Sequence, residues 1–290
     1  MKLASRLSLI EPSPTLAISA RANELKAEGK DIVGFGAGEP DFDTPEHIKE
    51  AAILALKQGF TKYTAVSGIQ DLKKAIVDKF KRDNNLDFQP NQILVSTGGK
   101  QVLYNFFLAV LNDGDEVVCP APYWVSYKDI VSLAGGSMKL IPTTIESGFK
   151  INPTVLEKSI TPRTKVFILN SPSNPTGATY TPDEIKALAR VLEKFPNVLI
   201  LTDDIYEKLT YGVPFLNIAS ASESLRPRTM VVNGLSKAYA MTGWRLGYAG
   251  GPREIIAAMD MLQGQSTTNA NSIAQKGAVA ALAQSQECVE

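Results

Sequence analysis

From about residue 90 the chain alternates between short apolar runs and longer stretches with helical spacing. The runs are QILVS (92–96), DEVVCP (115–120), SMKLIP (137–142), TKVFILN (164–170), NVLILT (197–202), TMVVN (229–233) and LGYAG (246–250). They are rich in Val, Ile and Leu and mostly lack polar alternation, the pattern of strands buried on both faces. Helix signals lie between several of them. TPDEIKALARVLEKF opens with Thr181, Pro182 and Glu184, a capping box with proline at the first helical position. Strands alternating with helices predict an α/β fold built on a doubly wound, mostly parallel seven-stranded sheet. The last run follows its neighbour closely and is expected to be the antiparallel member.

The first 48 residues have a different texture. They carry Pro12, Pro14, Pro40 and Pro45, a helical stretch AISARANELKAEG and the loop FGAGEPDFDTP. The expected organisation is an N-terminal arm with part of a small domain over 1–48, and a large domain over 49–290. The closing stretch NANSIAQKGAVAALAQSQECVE is helical and holds no terminating Gly or Pro, so the chain reads as cut inside a helix. The small α/β domain is then incomplete, with its C-terminal part missing.

Composition acts mainly by exclusion. Thirty basic and 30 acidic residues give a formal net charge of +0, which offers no electrostatic footprint for nucleic acid or an anionic membrane. No apolar run approaches the ~20 residues of a membrane helix, and MKLASRLSLIEPSPTL does not read as a signal peptide. Cys119 and Cys288 stand in no metal or redox spacing, so a reducing, cytoplasmic home is expected. The single histidine, His47, follows Thr44 as N-cap and Pro45 as first helical residue, which predicts a solvated position in a first turn. One His and two Cys exclude His-based triads and His/Cys metal clusters. Any chemistry must come from Lys, Asp, Tyr, Ser or a borrowed cofactor.

Ligands of open α/β sheets bind beyond the carboxyl ends of the strands. After ILVS come Gly98, Gly99 and Lys100 at the start of a helix, either a plain turn or a nest of backbone N–H groups for an anion. After VVCP come Tyr123 and Trp124, as packing or as a ligand platform. After VFIL comes NSPSNPTG, where Asn174 precedes Pro175 in a turn or contacts a ligand. After VLILT come Asp203, Asp204 and Tyr206; an Asp at the mouth of a buried strand needs a positive partner or water. After MVVN comes NGLSKAYAMTGWRLGYAGG, an apolar stretch with two cations, Lys237 and Arg245, and no carboxylate between them. Pyridoxal phosphate asks for such a set: a lysine for a Schiff base, a carboxylate at the pyridinium nitrogen, a cradle for phosphate and a flat group to stack on.

AGEPDFDTP, PYWVSY, NSPSNPTG, TDDIYEKL and SKAYAMTGWRLGY, in this order, resemble the class I aminotransferases of pyridoxal-phosphate fold type I, especially the bacterial-type aspartate aminotransferases. The resemblance covers essentially the whole chain. It implies that Lys237 is the Schiff-base lysine and proton shuttle and that Asp203 pairs with the pyridinium nitrogen. It also implies that Tyr206 and Asn174 hydrogen-bond the cofactor's phenolic oxygen and that Trp124 stacks on its ring and borders the substrate. Gly99 and Lys100 match the phosphate nest, and Arg245 the phosphate-binding arginine, whose fork suits a dianion. Tyr63 resembles a tyrosine that reaches the phosphate of a neighbouring subunit, which implies a homodimer with shared sites. Gly38 matches a position against the substrate, and the Lys100 side chain one that receives a distal carboxylate.

Two departures stand out. The family's usual Ser or Thr three residues before the lysine is Gly234 here, and Ser236 does not match it. The resemblance also implies an arginine that clamps the substrate's α-carboxylate, which in the family lies in the C-terminal small domain that this sequence is expected to lack. The expected reaction moves the amino group of aspartate to 2-oxoglutarate by a ping-pong route. A relative with prephenate, aromatic or alanine specificity, a lyase or synthase of the same fold, and a non-catalytic truncated paralogue remain the alternatives.

Overall fold

The computed structural model describes residues 1–12, 14–36 and 38–289. Seven strands form one sheet: β1 (Ile93–Ser96), β2 (Glu116–Ala121), β3 (Ser137–Pro142), β4 (Thr164–Asn170), β5 (Leu199–Asp203), β6 (Thr229–Gly234) and β7 (Gly247–Gly250). Their order across the sheet is β1-β7-β6-β5-β4-β2-β3. The β2–β3, β2–β4, β4–β5 and β5–β6 ladders are parallel, and β7 pairs antiparallel with both β1 and β6. Each of the seven apolar runs is therefore a strand, and the last is the antiparallel one.

Ten α-helices lie among the described residues. In chain order they are α1 (Pro14–Ala27), α2 (Glu46–Lys57), α3 (Gln70–Asn84), α4 (Gly99–Val110), α5 (Ser126–Leu133), α6 (Pro153–Ser159), α7 (Pro182–Leu192), α8 (Ile218–Ala221), α9 (Arg253–Gly264) and α10 (Ser272–Ala283). Alternate strand residues face opposite layers, since side chains along a strand point up and down in turn. Leu94, Ile168, Leu201 and Val232 pack with Val102 and Phe106 of α4, Tyr127 of α5 and Met259 of α9. Val95, Val231 and Tyr248 face the other way, onto Ile76 and Phe80 of α3 and Ala278 of α10. Further along the same face, Phe167, Leu169 and Ile200 meet Leu156 of α6 and Leu188 of α7. A sheet buried on both sides leaves its strand ends as the places where polar groups can meet a ligand.

The capping box at α7 forms as its sequence predicts: Thr181 Oγ1 accepts from Glu184 N at 3.3 Å, and Glu184 Oε2 accepts from Thr181 N at 2.7 Å. Two local expectations are corrected. α2 begins at Glu46 without a side-chain cap, and Thr44 Oγ1 instead donates to the Ala240 carbonyl at 2.6 Å. His47 is half-buried with its Nε2 enclosed and unpartnered, rather than solvated. The second correction concerns the closing stretch, which is not helical throughout. α10 ends at Ala283 because Gln284 turns to extended backbone. Gln286 Nε2 donates to the Ala281 and Gln284 carbonyls at 3.0 and 2.7 Å, doing the work of a terminating glycine motif.

Candidate active site

Parallel strands all deliver their carboxyl ends to one edge, and the antiparallel β7 brings the residues before it to that same edge. The register sets Asn170 beside Asp203 and Gly234 beside Gly247, with Ser96 on the far side of Gly247. Arg245 precedes β7 and so arrives beside the start of α4. There the Gly98 N-cap has φ +84°, and a Cβ on it would collide with the Arg245 guanidinium. A Cβ on Gly247 would collide with the Gly99 backbone N. Glycine is required at both points, and the first N–H groups of α4 and the Arg245 fork thereby share one small space. Helix N–H groups and a guanidinium gathered in this way suit an anion such as a phosphate.

Asp203 closes the deep end. It is buried, its Oδ2 accepts a 2.6 Å hydrogen bond from the fully buried Tyr127 hydroxyl, and Asn170 Nδ2 donates to its carbonyl at 2.8 Å. Burial pushes its carboxyl above the ordinary carboxylate value, while the Tyr127 bond and the Ile205 N–H pull it down. A cation placed against it would relieve the desolvation. Trp124 stands edge-to-face on Tyr127 at 5.3 Å between ring centroids, and the Lys100 ammonium lies 5.1 Å from the Trp124 ring centroid.

Lys237 lies on the turn after β6. Its Nζ donates to the Gly38 carbonyl at 2.6 Å and sits 5.7 Å from the Tyr206 ring centroid. Burial lowers its pKa, the Glu39 carboxylate raises it and the Arg245 charge lowers it again. The net direction is down, which favours the free amine a carbonyl needs. Asn174 Nδ2 is 3.5 Å from the Tyr206 hydroxyl, and Asn174 N donates to Asn170 Oδ1 at 2.8 Å, tying this turn to the end of β4. A cavity of about 590 Å³ opens beside Lys237, with Gly38, Phe42, Tyr206 and Tyr211 among its walls. Among the described residues neither Lys237 nor Arg245 forms an ion pair with a carboxylate.

Most of the residues singled out in the sequence thus meet at one edge. Tyr63 does not: it is 90 % exposed on the loop between α2 and α3. Gly234 has a local reason, because a Cβ there would crowd the Ile205 side chain at 3.0 Å and the Leu246 carbonyl at 3.2 Å. Asp204 was unexplained in the sequence. It is buried, accepts from Thr202 Oγ1 at 2.6 Å and from Asn217 Nδ2, and takes no helix-capping role. Tyr127 escaped notice, since a tyrosine inside a helix following PYW reads as packing. A flat ring bearing a basic nitrogen, a phosphate and an aldehyde fits this set of groups: Asp203 for the nitrogen, the α4 N-terminus and Arg245 for the phosphate, Lys237 for the aldehyde.

Comparison with known proteins gives the same direction. The family model described as aminotransferase class I and II matches residues 30–290. An aspartate/prephenate aminotransferase of Nitrosomonas europaea is 60% identical over 290 residues, which is 100% of this chain and 73% of that protein. One of Cereibacter sphaeroides is 54% identical over 98% of this chain and 72% of its own length. Among solved structures, an aspartate aminotransferase from Rhizobium meliloti superposes with a TM-score of 0.95 at 50% identity, covering 99% of this chain and 72% of that one. The Thermus thermophilus aspartate aminotransferase with maleate gives 0.94 at 46% identity, over 97% of this chain and 73% of that one. The chain belongs to the class I and II aminotransferases, enzymes of this fold that depend on pyridoxal phosphate.

Proposed function

We propose that this aminotransferase takes its amino group from aspartate and passes it to 2-oxoglutarate in two half-reactions that share one site. The observation that carries the reading is the convergence of the Lys237 amine, the Asp203 carboxylate and the Gly98–Gly99 cradle with Arg245 on one sheet edge. Pyridoxal phosphate, when bound, supplies a ring that accepts the electron pair released at the substrate's α-carbon. Asp203 holds a proton on the ring nitrogen, and Tyr127 keeps that carboxylate oriented. Arg245 and the α4 N–H groups bind the phosphate. Trp124 would cover one flat face of the ring, and Tyr206 and Asn174, 3.5 Å apart, would hold its phenolic oxygen. The Lys237 amine would hold the cofactor's aldehyde and, as a free amine, would carry a proton at the substrate's α-carbon. Gly38 and Lys100 lie toward the substrate, and Lys100 suits a distal carboxylate.

Prephenate as the acceptor is a second reading, favoured by the printed names of the relatives. A homodimer with shared sites agrees with the exposure of Tyr63 and of Ile53, Leu54 and Leu56 on α2. Residues 1–48, whose described residues contribute no strand, would serve as arm and part of the small domain. Absence of a helix long and apolar enough to cross a membrane among the described residues agrees with a cytoplasmic enzyme. The reading is tested by adding pyridoxal phosphate and recording the visible spectrum before and after aspartate. A visible band should form, vanish in Lys237→Ala, and convert to a near-ultraviolet band with aspartate. A band that aspartate leaves unchanged would remove aspartate as the donor.

A further inference from the structure

The two cations of the site sit on one turn, Lys237 to Arg245, whose backbone is not relaxed. Ala240 and Arg245 have φ of +50° and +53°, a left-handed region that side chains other than glycine rarely occupy. Such a conformation persists only where surrounding contacts hold it. Inside the turn, Ala240 N and Met241 N donate to the Lys237 and Ser236 carbonyls at 3.3 and 3.2 Å, and Arg245 Nη1 donates to the Thr242 carbonyl at 2.9 Å.

One side chain from far away in the chain bridges both strained points. Thr44 Oγ1 donates to the Ala240 carbonyl at 2.6 Å and accepts from Trp244 Nε1 at 3.0 Å. The first bond grips a strained residue. The second grips the neighbour of the other, Arg245. Thr44 is itself anchored: α2 starts two residues later and buries Ile48 completely in the core. Trp244 is wedged on the other side, with Gly277 of α10 so close that a Cβ there would lie 3.0 Å from the indole ring. The hydroxyl that the sequence pattern assigns to capping α2 is spent on this turn instead.

We propose that Thr44 is a positioning residue of the cofactor site, whose hydroxyl fixes the distance and direction between Lys237 and Arg245. Both of its hydrogen bonds go to the turn that carries the two cations and not to the cations themselves. The proposal rests on the pyridoxal phosphate reading above, and assigns Thr44 the task of presenting an amine and a guanidinium to the two ends of one rigid group. Thr44→Val keeps the shape and removes both hydrogen bonds, whereas Thr44→Ser keeps the hydroxyl.

The test titrates the cofactor-free protein with pyridoxal phosphate, reading the visible band for affinity and for the pH at its midpoint, well below the unfolding temperature. Thr44→Val should weaken affinity about 10-fold, or about 1.4 kcal/mol, and displace the pH midpoint. Thr44→Ser should stay within about two-fold of the parent, because a hydroxyl in the same place restores both bonds. Trp244→Phe, which removes only the indole donor, should shift affinity in the same direction by less, and it decides the matter if Thr44→Val does not fold. A purely structural Thr44 would lower the unfolding temperature and leave affinity and midpoint untouched; that result overturns the proposal, as does a Thr44→Ser protein as weak as Thr44→Val. A parent protein that forms no visible band with pyridoxal phosphate overturns the cofactor reading instead.

Discussion

At the scale of single residues, the carboxylate of Asp203 depends on Tyr127. The Tyr127 hydroxyl is fully buried, and burial first, then the Asp203 charge, drives its pKa well above the usual value, so it stays protonated and donating. A hydrogen bond to a charged group contributes about 1.5–3 kcal/mol. Tyr127→Phe removes it and lets burial raise Asp203 further. An acid that must be ionised and has a higher pKa works only at higher pH. The acid limb of the pH–rate profile should therefore move to higher pH and kcat should fall at least about 10-fold, while the cofactor stays bound. Superimposable pH profiles for the two proteins would exclude this role.

At the scale of elements, the turn that carries Tyr206 is fastened to α3 by a buried ion pair. Lys79 pairs with Glu207, donates to Asn84 Oδ1 at 2.7 Å, and Asn84 Nδ2 returns a 2.8 Å bond to Glu207 Oε2. Both charged side chains are at most 5% exposed. Removing one partner strands the other charge, at a cost of about 3–5 kcal/mol. Lys79→Met should lower the denaturant midpoint by a corresponding amount. Adding Glu207→Gln, which keeps an acceptor for Asn84 and leaves the Asp83 carboxylate to Arg82 and Lys208, should recover most of it; a double variant as weak as the single one would mean that the pair is not the source. The loop before α3 is held by another means. Gln263 and Gln275, both fully buried, spend their amides on it: Gln263 Nε2 donates to the Val66 carbonyl at 2.9 Å, and Gln275 accepts from Ile69 N at 2.8 Å.

At the scale of the whole molecule, stability should carry the mark of Asp204. Burial, then the Glu207 charge, pushes its pKa up to about 7. A carboxyl that binds its proton more tightly when folded contributes stability that is complete at low pH and is lost as pH rises through the folded pKa. Between the ordinary carboxylate range near ~4 and about 7, this one group makes the protein less stable as pH rises. Asp204→Asn should flatten that part of the stability–pH curve, measured as urea midpoints across the window. An unaltered slope would assign the effect to other groups. The same molecule leaves Val33, Phe35, Phe42 and Tyr211 exposed, and Phe42 and Tyr211 border the cavity beside Lys237. The chain spans 73% of the length of the Nitrosomonas europaea relative it matches.

Much of this was legible in the order of residues alone. Seven apolar runs become seven strands; apart from β3, which lies at the sheet edge and is mostly exposed or half-buried, they are covered on both faces and so have no polar face to reveal. Lys237, Asp203, Asn174 and Gly99 stand out because each ends or follows a strand, and a parallel sheet must bring such positions to one edge. What the chain order could not contain was the use of side chains across long separations. Thr44 looks like a helix cap until Ala240 and Trp244 are folded against it. Tyr127 looks like packing until β5 brings Asp203 within 2.6 Å of its hydroxyl. The closing helix looks endless until Gln286 folds back onto its last carbonyls. Strand and helix follow from local spacing and burial. The partner of a hydrogen-bonding group is chosen only when the fold has decided which distant groups are near it and shut off from water.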